Sequence, residues 1–261
     1  MAEASAAKPF YSALLLAFVC SLLVAGAAVK LRPLQEANRL LDQKKNILYA
    51  AGLYREGKSV EELFASIETR VVELASGRYV PAEEIDPASY RQLKAALRED
   101  GGHPLDSKVD IAGMRRLEKY SLVYLVKHGE QLEQIILPVR GKGLWSTMYA
   151  YVAVAGDLST IRGVSFYEHG ETPGLGGEIE NRRWNEGWQG KRLYNPEGEM
   201  ELKVIKGKVV ASGDQAFYQI DGLSGATLTS KGVSNLLEFW FGDHGFKPYF
   251  RQLQKRDNSN G

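Results

Sequence analysis

The residues best suited to chemistry in this chain lie between positions 221 and 230, which read DGLSGATLTS. This stretch precedes an apolar helical run at residues 233–241, so its short side chains let backbone N–H groups converge on an anion at a helix N-terminus. Thr229 and Ser230 are candidate N-caps for that helix. No His or Cys lies nearby to activate Thr227 as a nucleophile. Two interpretations remain: an ordinary capped turn, or a site for a phosphate-bearing ligand.

The motif within this stretch resembles the flavinylation motif, Asp-x-x-(Ser/Thr)-Gly-Ala-Thr, of proteins that carry FMN through a threonine phosphoester. The matching residues are Asp221, Ser224, Gly225, Ala226 and Thr227. The resemblance implies that a separate flavin transferase couples the FMN phosphate to Thr227, while Asp221 shapes the turn or serves recognition by the transferase. The layout of the chain is similar to the C subunit of the Na+-translocating NADH:quinone reductase. The G subunit of the Rnf electron-transport complex shares the motif and is the close alternative.

Other segments are implied to contact the flavin. A flavin needs a flat apolar face against its ring and a few polar partners along its edge. In the family, the segment at residues 141–146 lines the flavin and a Glu-Thr-Pro-Gly loop contacts the isoalloxazine. The implied contacts are Leu144, Trp145, Glu171, Thr172, Gly174 and Leu175. Separately, Lys206 is a candidate neighbour of the phosphate or of the flavin N1 edge. Without the resemblance, Trp145 is as well explained as a core residue, the loop as a mobile surface turn, and Lys206 as part of a charged hairpin turn.

Composition excludes several classes of protein. The 261 residues, 44% of them apolar, can bury one good core. A formal net charge of +1 provides no basic field for nucleic acid. The single cysteine, Cys20, excludes an intrachain disulfide framework and a Cys-ligated iron–sulfur cluster, and the scattered histidines lack zinc-site spacing, so no metal is expected.

Residues 10–29 carry no charge and are long enough to cross a bilayer as one helix. The small-x-small sequence at residues 25–27 is also compatible with a cleaved signal peptide, but the run exceeds a typical signal-peptide core. The basic residues after the span are Lys30, Arg32, Arg39, Lys44 and Lys45, against Lys8 before it. The positive-inside rule would therefore keep the large domain in the cytoplasm. The resemblance implies the opposite, a single-pass protein of the bacterial inner membrane with a periplasmic domain.

The segment between the span and residue 115 is predicted to be helical. Residues 34–51 have an amphipathic period closed by a glycine, and a capping-box signature at Ser59 predicts a second helix up to Gly77. A third helix is predicted from Asp86 towards Asp100, followed by a loop at residues 101–104.

The pattern then changes to short strands at hairpin distances. Strand pairs are predicted at residues 120–127 with 132–137, at 148–154 with 160–167, and at 201–205 with 208–211. We therefore expect an α+β fold, in which an N-terminal transmembrane helix precedes an FMN-binding domain of antiparallel sheet with packed helices. The predicted divisions are a polar tail (1–8), the transmembrane helix (9–30), a helical membrane-proximal region (31–115), the FMN-binding domain (116–250) and a polar tail (251–261), disordered from Lys255.

Together with the apolar span, the family resemblance implies a membrane-anchored flavoprotein subunit that relays electrons from NADH towards ubiquinone in a sodium-pumping complex. No catalytic residue is expected in the chain itself, because the redox chemistry belongs to the cofactor. The Gly174-x-Gly176 sequence lacks a complete Gly-x-Gly-x-x-Gly fingerprint, so NADH is expected to bind another subunit. Implied partners are the other membrane and flavoprotein subunits and the flavin transferase. The alternatives are a tethered periplasmic binding or scaffold domain and a domain that binds flavin non-covalently.

Overall fold

A computed structural model describes residues 7–210 and 212–260 of the chain. The helices are α1 (Ala7–Ala50), α2 (Val60–Phe64), α3 (Gln92–Leu97), α4 (Arg182–Glu186), α5 (Thr227–Trp240) and α6 (Lys247–Asn260), with 3-10 helices at Gly176–Glu180 and Gly213–Tyr218. The strands are β1 (Ile67–Glu73), β2 (Tyr79–Val80), β3 (Gly102–Pro104), β4 (Arg116–Glu118), β5 (Tyr120–His128), β6 (Gln131–Lys142), β7 (Thr147–Ala155), β8 (Ile161–Glu168), β9 (Lys203–Val204) and β10 (Gln219–Ile220).

Helix α1 is the only helix in the described part of the chain that is long and apolar enough to cross a membrane. Its most apolar window is fully exposed, as a lipid-facing helix would be. The chain divides into two compact units, with the boundary between Lys44 and Lys45. The sequence predicts a polar tail before the span; α1 begins at Ala7, and residues 1–6 lie outside the described part.

The second unit is built on a six-stranded sheet in the order β2-β1-β5-β6-β7-β8. All of its neighbouring strands are antiparallel. Two of the hairpins predicted from the sequence, β5–β6 and β7–β8, are confirmed. Apolar side chains of one face pack against α5 and α6, and those of the other pack against Ile47 and Leu48 at the end of α1. The expected α+β class with an antiparallel sheet is confirmed.

A buried ion pair stabilises the strand that leads into the candidate site. Arg140 on β6 donates two hydrogen bonds to the Glu118 carboxylate, at 2.8 and 2.6 Å. Gln92 also donates to that carboxylate, and the indole N–H of Trp240 on α5 donates to the Arg140 carbonyl at 2.7 Å. This network therefore ties α5 to β6 two residues before β6 ends.

The predicted helix at residues 59–77 is wrong in its second half. Only α2 is helical, and the cap hydroxyl of Ser59 makes no capping hydrogen bond to the backbone. Ile67–Glu73 instead forms β1, which pairs with β5 along its whole length. The apolar residues of this segment fit either period, but its β-branched side chains favour a strand, and the long-range pairing decides it. The region predicted to be helical therefore contributes two strands to the main sheet.

Four further expectations differ from the structure. The third helix is confined to α3, and the predicted loop at residues 101–104 contains β3, which pairs with β4. The predicted hairpin after residue 201 is absent from the described residues. Strand β9 instead pairs in parallel with β10, and residue 211 lies outside the described part. The C-terminal tail, predicted to be disordered from Lys255, is helical in α6 to Asn260.

Candidate functional site

Residues 221–226, here called the motif loop, connect β10 to α5. The Asp221 carboxylate accepts a hydrogen bond from the backbone N–H of Val209, at 2.7 Å, and the Asp221 carbonyl accepts one from the indole N–H of Trp184, also at 2.7 Å. The backbone N–H of Gly222 donates to the Gly207 carbonyl at 2.7 Å. Asp221 thus holds the segment with Val209 and the indole of Trp184 against the motif loop.

Thr227 is the first residue of α5, and its side chain is exposed. The first N–H groups of a helix have no intrahelical partner, and the helix dipole makes this end positive, so the field at Thr227 favours an anion. The predicted N-caps are wrong: Thr229 and Ser230 lie inside the helix and are buried. The Ser230 hydroxyl instead accepts the backbone N–H of Leu223 at 3.2 Å and so fixes the motif loop to α5.

Around Thr227 the motif loop leaves room for a ligand. Ser224 and Gly225 are exposed, whereas Ala226 is buried. Gly225 has a φ of +70°, and a Cβ atom there would lie 2.8 Å from the Leu175 side chain. The positive φ favours glycine at position 225, whereas the end of the exposed Leu175 side chain could move aside for a Cβ atom.

Four exposed apolar side chains are carried by three segments near this loop: Leu144, Trp145, Leu175 and Leu228. We call this set the apolar platform. Trp145, in the turn between β6 and β7, is 66% exposed, whereas Trp188 in the core is fully buried. The explanation of Trp145 as a core residue is therefore wrong. One exposed aromatic and three exposed aliphatic side chains supply apolar surface of the kind against which an aromatic ring system packs.

The Glu171 carboxylate joins these segments. It is 5% exposed and accepts backbone N–H bonds from Leu144, Trp145 and Ser146 and a hydroxyl bond from Thr229. Burial raises the pKa of Glu171, but the hydrogen bonds from Thr229 and the three backbone groups outweigh burial and hold the pKa below its usual value. The group is therefore ionised at neutral pH.

The remaining predicted residues lie on two neighbouring loops. Thr172 is exposed, and its carbonyl accepts backbone bonds from Leu175 and Gly177 that close the loop. Gly174 has a φ of +74°. Lys206 lines a groove of about 440 Å³ together with Thr227 and Lys231. Glu201 and Glu238 also line this groove.

Sequence reasoning missed three residues of this region, Trp184, Val209 and Lys231, and it assigned Thr229 and Ser230 to a different role. Lys231 carried a local signal, because it lies four residues after Thr227 and hence on the same face of the helix. Trp184 and Val209 carried none, because their contacts with Asp221 depend on long-range packing.

Comparison with known families adds to this geometry. The model described as the FMN-binding domain matches residues 143–242, a range that includes the turn with Trp145 and the motif loop. The C subunit of the Na(+)-translocating NADH-quinone reductase of Pseudomonas aeruginosa is 48% identical over 257 residues, which are 97% of this chain and 98% of the relative. The same subunit from Yersinia pestis is 43% identical, over 98% of this chain and 96% of the relative.

The chain belongs to the family of the C subunit of the Na(+)-translocating NADH-quinone reductase. The resemblance drawn from the motif is thus confirmed. Solved structures of this family share the fold: NqrC from Shewanella oneidensis has a TM-score of 0.75 and 32% identity, over 82% of this chain and 97% of that one. The C subunit from Parabacteroides distasonis has a TM-score of 0.64 and 26% identity, over 85% and 96% of the two chains.

Proposed function

We propose that this chain is the subunit of a membrane-bound NADH-quinone reductase that carries FMN as a phosphoester on Thr227. The observation that carries the proposal is an exposed threonine hydroxyl at the first position of α5, beside an apolar platform. The family of the chain and its match to the FMN-binding domain support the same conclusion.

The residues at the site fit the cofactor. The Thr227 hydroxyl and the positive end of α5 suit a phosphoryl group. The adjoining groove is lined by three lysines and two carboxylates, so a small excess of positive charge favours a phosphodiester there; these residues are Lys203, Lys206, Lys231, Glu201 and Glu238. The apolar platform suits an isoalloxazine ring.

The chain's own contribution is to bind and orient. FMN, when bound, supplies reversible electron transfer. The ester to Thr227 keeps the cofactor on the protein, the platform excludes water from one face of the ring, and Thr172 and Gly174 lie on the loop expected along its polar edge. Within the assembled complex this arrangement suits a relay of electrons from NADH towards ubiquinone, with sodium transport carried out by other subunits.

The direct test is covalent flavin in the denatured protein. We expect the full-length chain, produced together with a flavin transferase, to retain flavin fluorescence in a denaturing gel. Trypsin should release residues 209–231 as one peptide with the added mass of FMN minus water, and fragment ions should assign it to Thr227. Colour that is lost on denaturation would indicate non-covalent flavin, and a protein without flavin would favour the scaffold alternative.

We further propose that α1 anchors the chain in the inner membrane with the sheet domain in the periplasm. The chain offers a simple test because Cys20 is its only cysteine. With Cys20 replaced by Ser, we expect the exposed position Ser107, changed to Cys, to react with a membrane-impermeant maleimide in intact spheroplasts. Labelling only after lysis would place the domain in the cytoplasm, as the basic residues after the span predict.

Replacing Trp145 by alanine should alter the flavin without releasing it. Thr227 would still hold the phosphate end, whereas loss of the aromatic face would admit water to the ring. We expect a changed flavin absorption spectrum, slower quinone reduction in the assembled complex, and a free energy of unfolding within about 0.5 kcal/mol of wild type, as for an exposed residue. Trp145→Phe, which keeps an aromatic face, is the matched control. An unchanged absorption spectrum in both variants would show that Trp145 does not contact the flavin.

A further inference from the structure

Most backbone N–H groups in the turn between β6 and β7 find no hydrogen-bond acceptor within the turn. Within residues 143–146, the backbone N–H of Gly143 donates to the Ser146 carbonyl at 2.8 Å. The three following N–H groups all point to Glu171: Leu144 to Oε2 at 3.1 Å, and Trp145 and Ser146 to Oε1 at 2.9 and 3.1 Å. Three convergent donors leave the turn dependent on an acceptor from another segment.

The same carboxylate also contacts the helix that carries the attachment residue. The buried hydroxyl of Thr229, in the first turn of α5, donates to Glu171 Oε2 at 2.6 Å. Thr229 lies two residues after Thr227, so one carboxylate connects the turn with Leu144 and Trp145 to the helical turn with Thr227. Leu175 lies four residues after Glu171 in the same loop.

The neighbouring glycines show that the space around the carboxylate is already filled. A Cβ atom on Gly143 would lie 2.6 Å from Glu171 Oε1. A Cβ atom on Gly176 would lie 2.5 Å from the Thr229 hydroxyl and 3.1 Å from Glu171 Oε2. A carboxylate offers about four lone-pair positions, and four donors already occupy them. No acceptor capacity remains for an edge of the flavin.

We propose that Glu171 is a positioning residue, which fixes Leu144 and Trp145 relative to the first turn of α5 and so sets the surface on which the flavin ring rests. This inference rests on the proposed function for the identity of the ligand. It replaces the direct flavin contact that the family resemblance implied for Glu171, and it assigns Thr229 to the same task.

The first test needs no flavin. In the full-length protein carrying Thr227→Ala, amide hydrogen exchange should rise roughly tenfold to hundredfold at Leu144, Trp145 and Ser146 when Glu171 is replaced by Ala, as when a hydrogen bond to a charged group is lost. Glu171→Gln keeps one carbonyl oxygen and should show a smaller rise. Glu186→Gln, at an exposed carboxylate on α4, is the matched control and should show none. Unchanged exchange in Glu171→Ala would overturn the proposal.

The second test uses flavin-loaded protein with Thr227 intact. We expect Glu171→Gln and Thr229→Val to retain covalent flavin but to change its absorption spectrum and the quenching of tryptophan fluorescence by the flavin. If Glu171→Ala fails to fold, these two milder variants still decide the question. A lower melting temperature with an unchanged flavin spectrum would reduce Glu171 to a stabilising residue and overturn the proposal. A wild-type protein without covalent flavin would instead refute the proposed function, while the exchange measurement would still stand.

Discussion

Replacing Thr227 by alanine should remove all covalently bound flavin and leave the fold intact. Thr227 is exposed and its hydroxyl makes no hydrogen bond among the described residues. Its loss should therefore change the free energy of unfolding by no more than about 0.5 kcal/mol, as for other surface substitutions. The measurement is flavin fluorescence in a denaturing gel, together with thermal unfolding of the same preparation.

The matched control for this prediction is Ser212→Ala. Ser212 is exposed, lies on the same tryptic peptide as Thr227, and makes no side-chain cap hydrogen bond. This variant should keep its full flavin content. Covalent flavin on the Thr227→Ala protein would show that another hydroxyl carries the ester and that the assignment to Thr227 is wrong.

Replacing Arg140 by methionine should have the largest effect on stability. The Glu118 and Arg140 side chains are 0% and 9% exposed, so removal of the arginine leaves a carboxylate buried without its cation. Breaking a buried pair in this way costs about 3–5 kcal/mol, because the remaining charge is not compensated. Chemical denaturation of the detergent-solubilised protein, followed by tryptophan fluorescence, measures the loss.

An exposed pair in the same domain provides the comparison. Arg98 and Asp100 are 2.7 Å apart, but their side chains are 71% and 68% exposed. Arg98→Met should therefore cost less than about 1 kcal/mol. Adding Glu118→Leu to Arg140→Met should recover part of the stability by removing the unpaired charge. Equal losses for Arg140→Met and Arg98→Met would show that the buried network is not needed.

The hairpins of the sheet were predictable because their signals are local. In β5–β6 and β7–β8, apolar runs flank glycine-containing turns, at Gly129 and Gly156, and the partner strands are adjacent in sequence. Strand β1 was not predictable in this way, because its partner β5 lies about fifty residues further along the chain. The sequence also did not predict the parallel pairing of β9 with β10, because local patterns favour a hairpin over a crossover.

In the candidate site, too, contiguous features could be predicted from the sequence and long-range contacts could not. The Ser-Gly-Ala-Thr motif is a contiguous signal and led directly to Thr227. The hydrogen bonds of Glu171 could not be predicted, because the three N–H donors that converge on it belong to a turn about twenty-five residues earlier, and Thr229 belongs to a helix that follows much later. The sequence shows a carboxylate beside glycines, and only the packing of the three segments shows that its oxygens are already occupied.

The end of α1 has a practical consequence for work on the domain without its anchor. Ile47, Leu48 and Ala50 are at most 1% exposed in the core beneath the second face of the sheet. Nearby, Asn46 accepts a hydrogen bond from Ser165, and the Ala51 carbonyl accepts one from Gln134. A water-soluble fragment therefore has to begin between the apolar run and Lys45. A cut at Gly52, where the helix has ended and a linker would ordinarily be chosen, would strip one side of the core and yield an aggregating fragment.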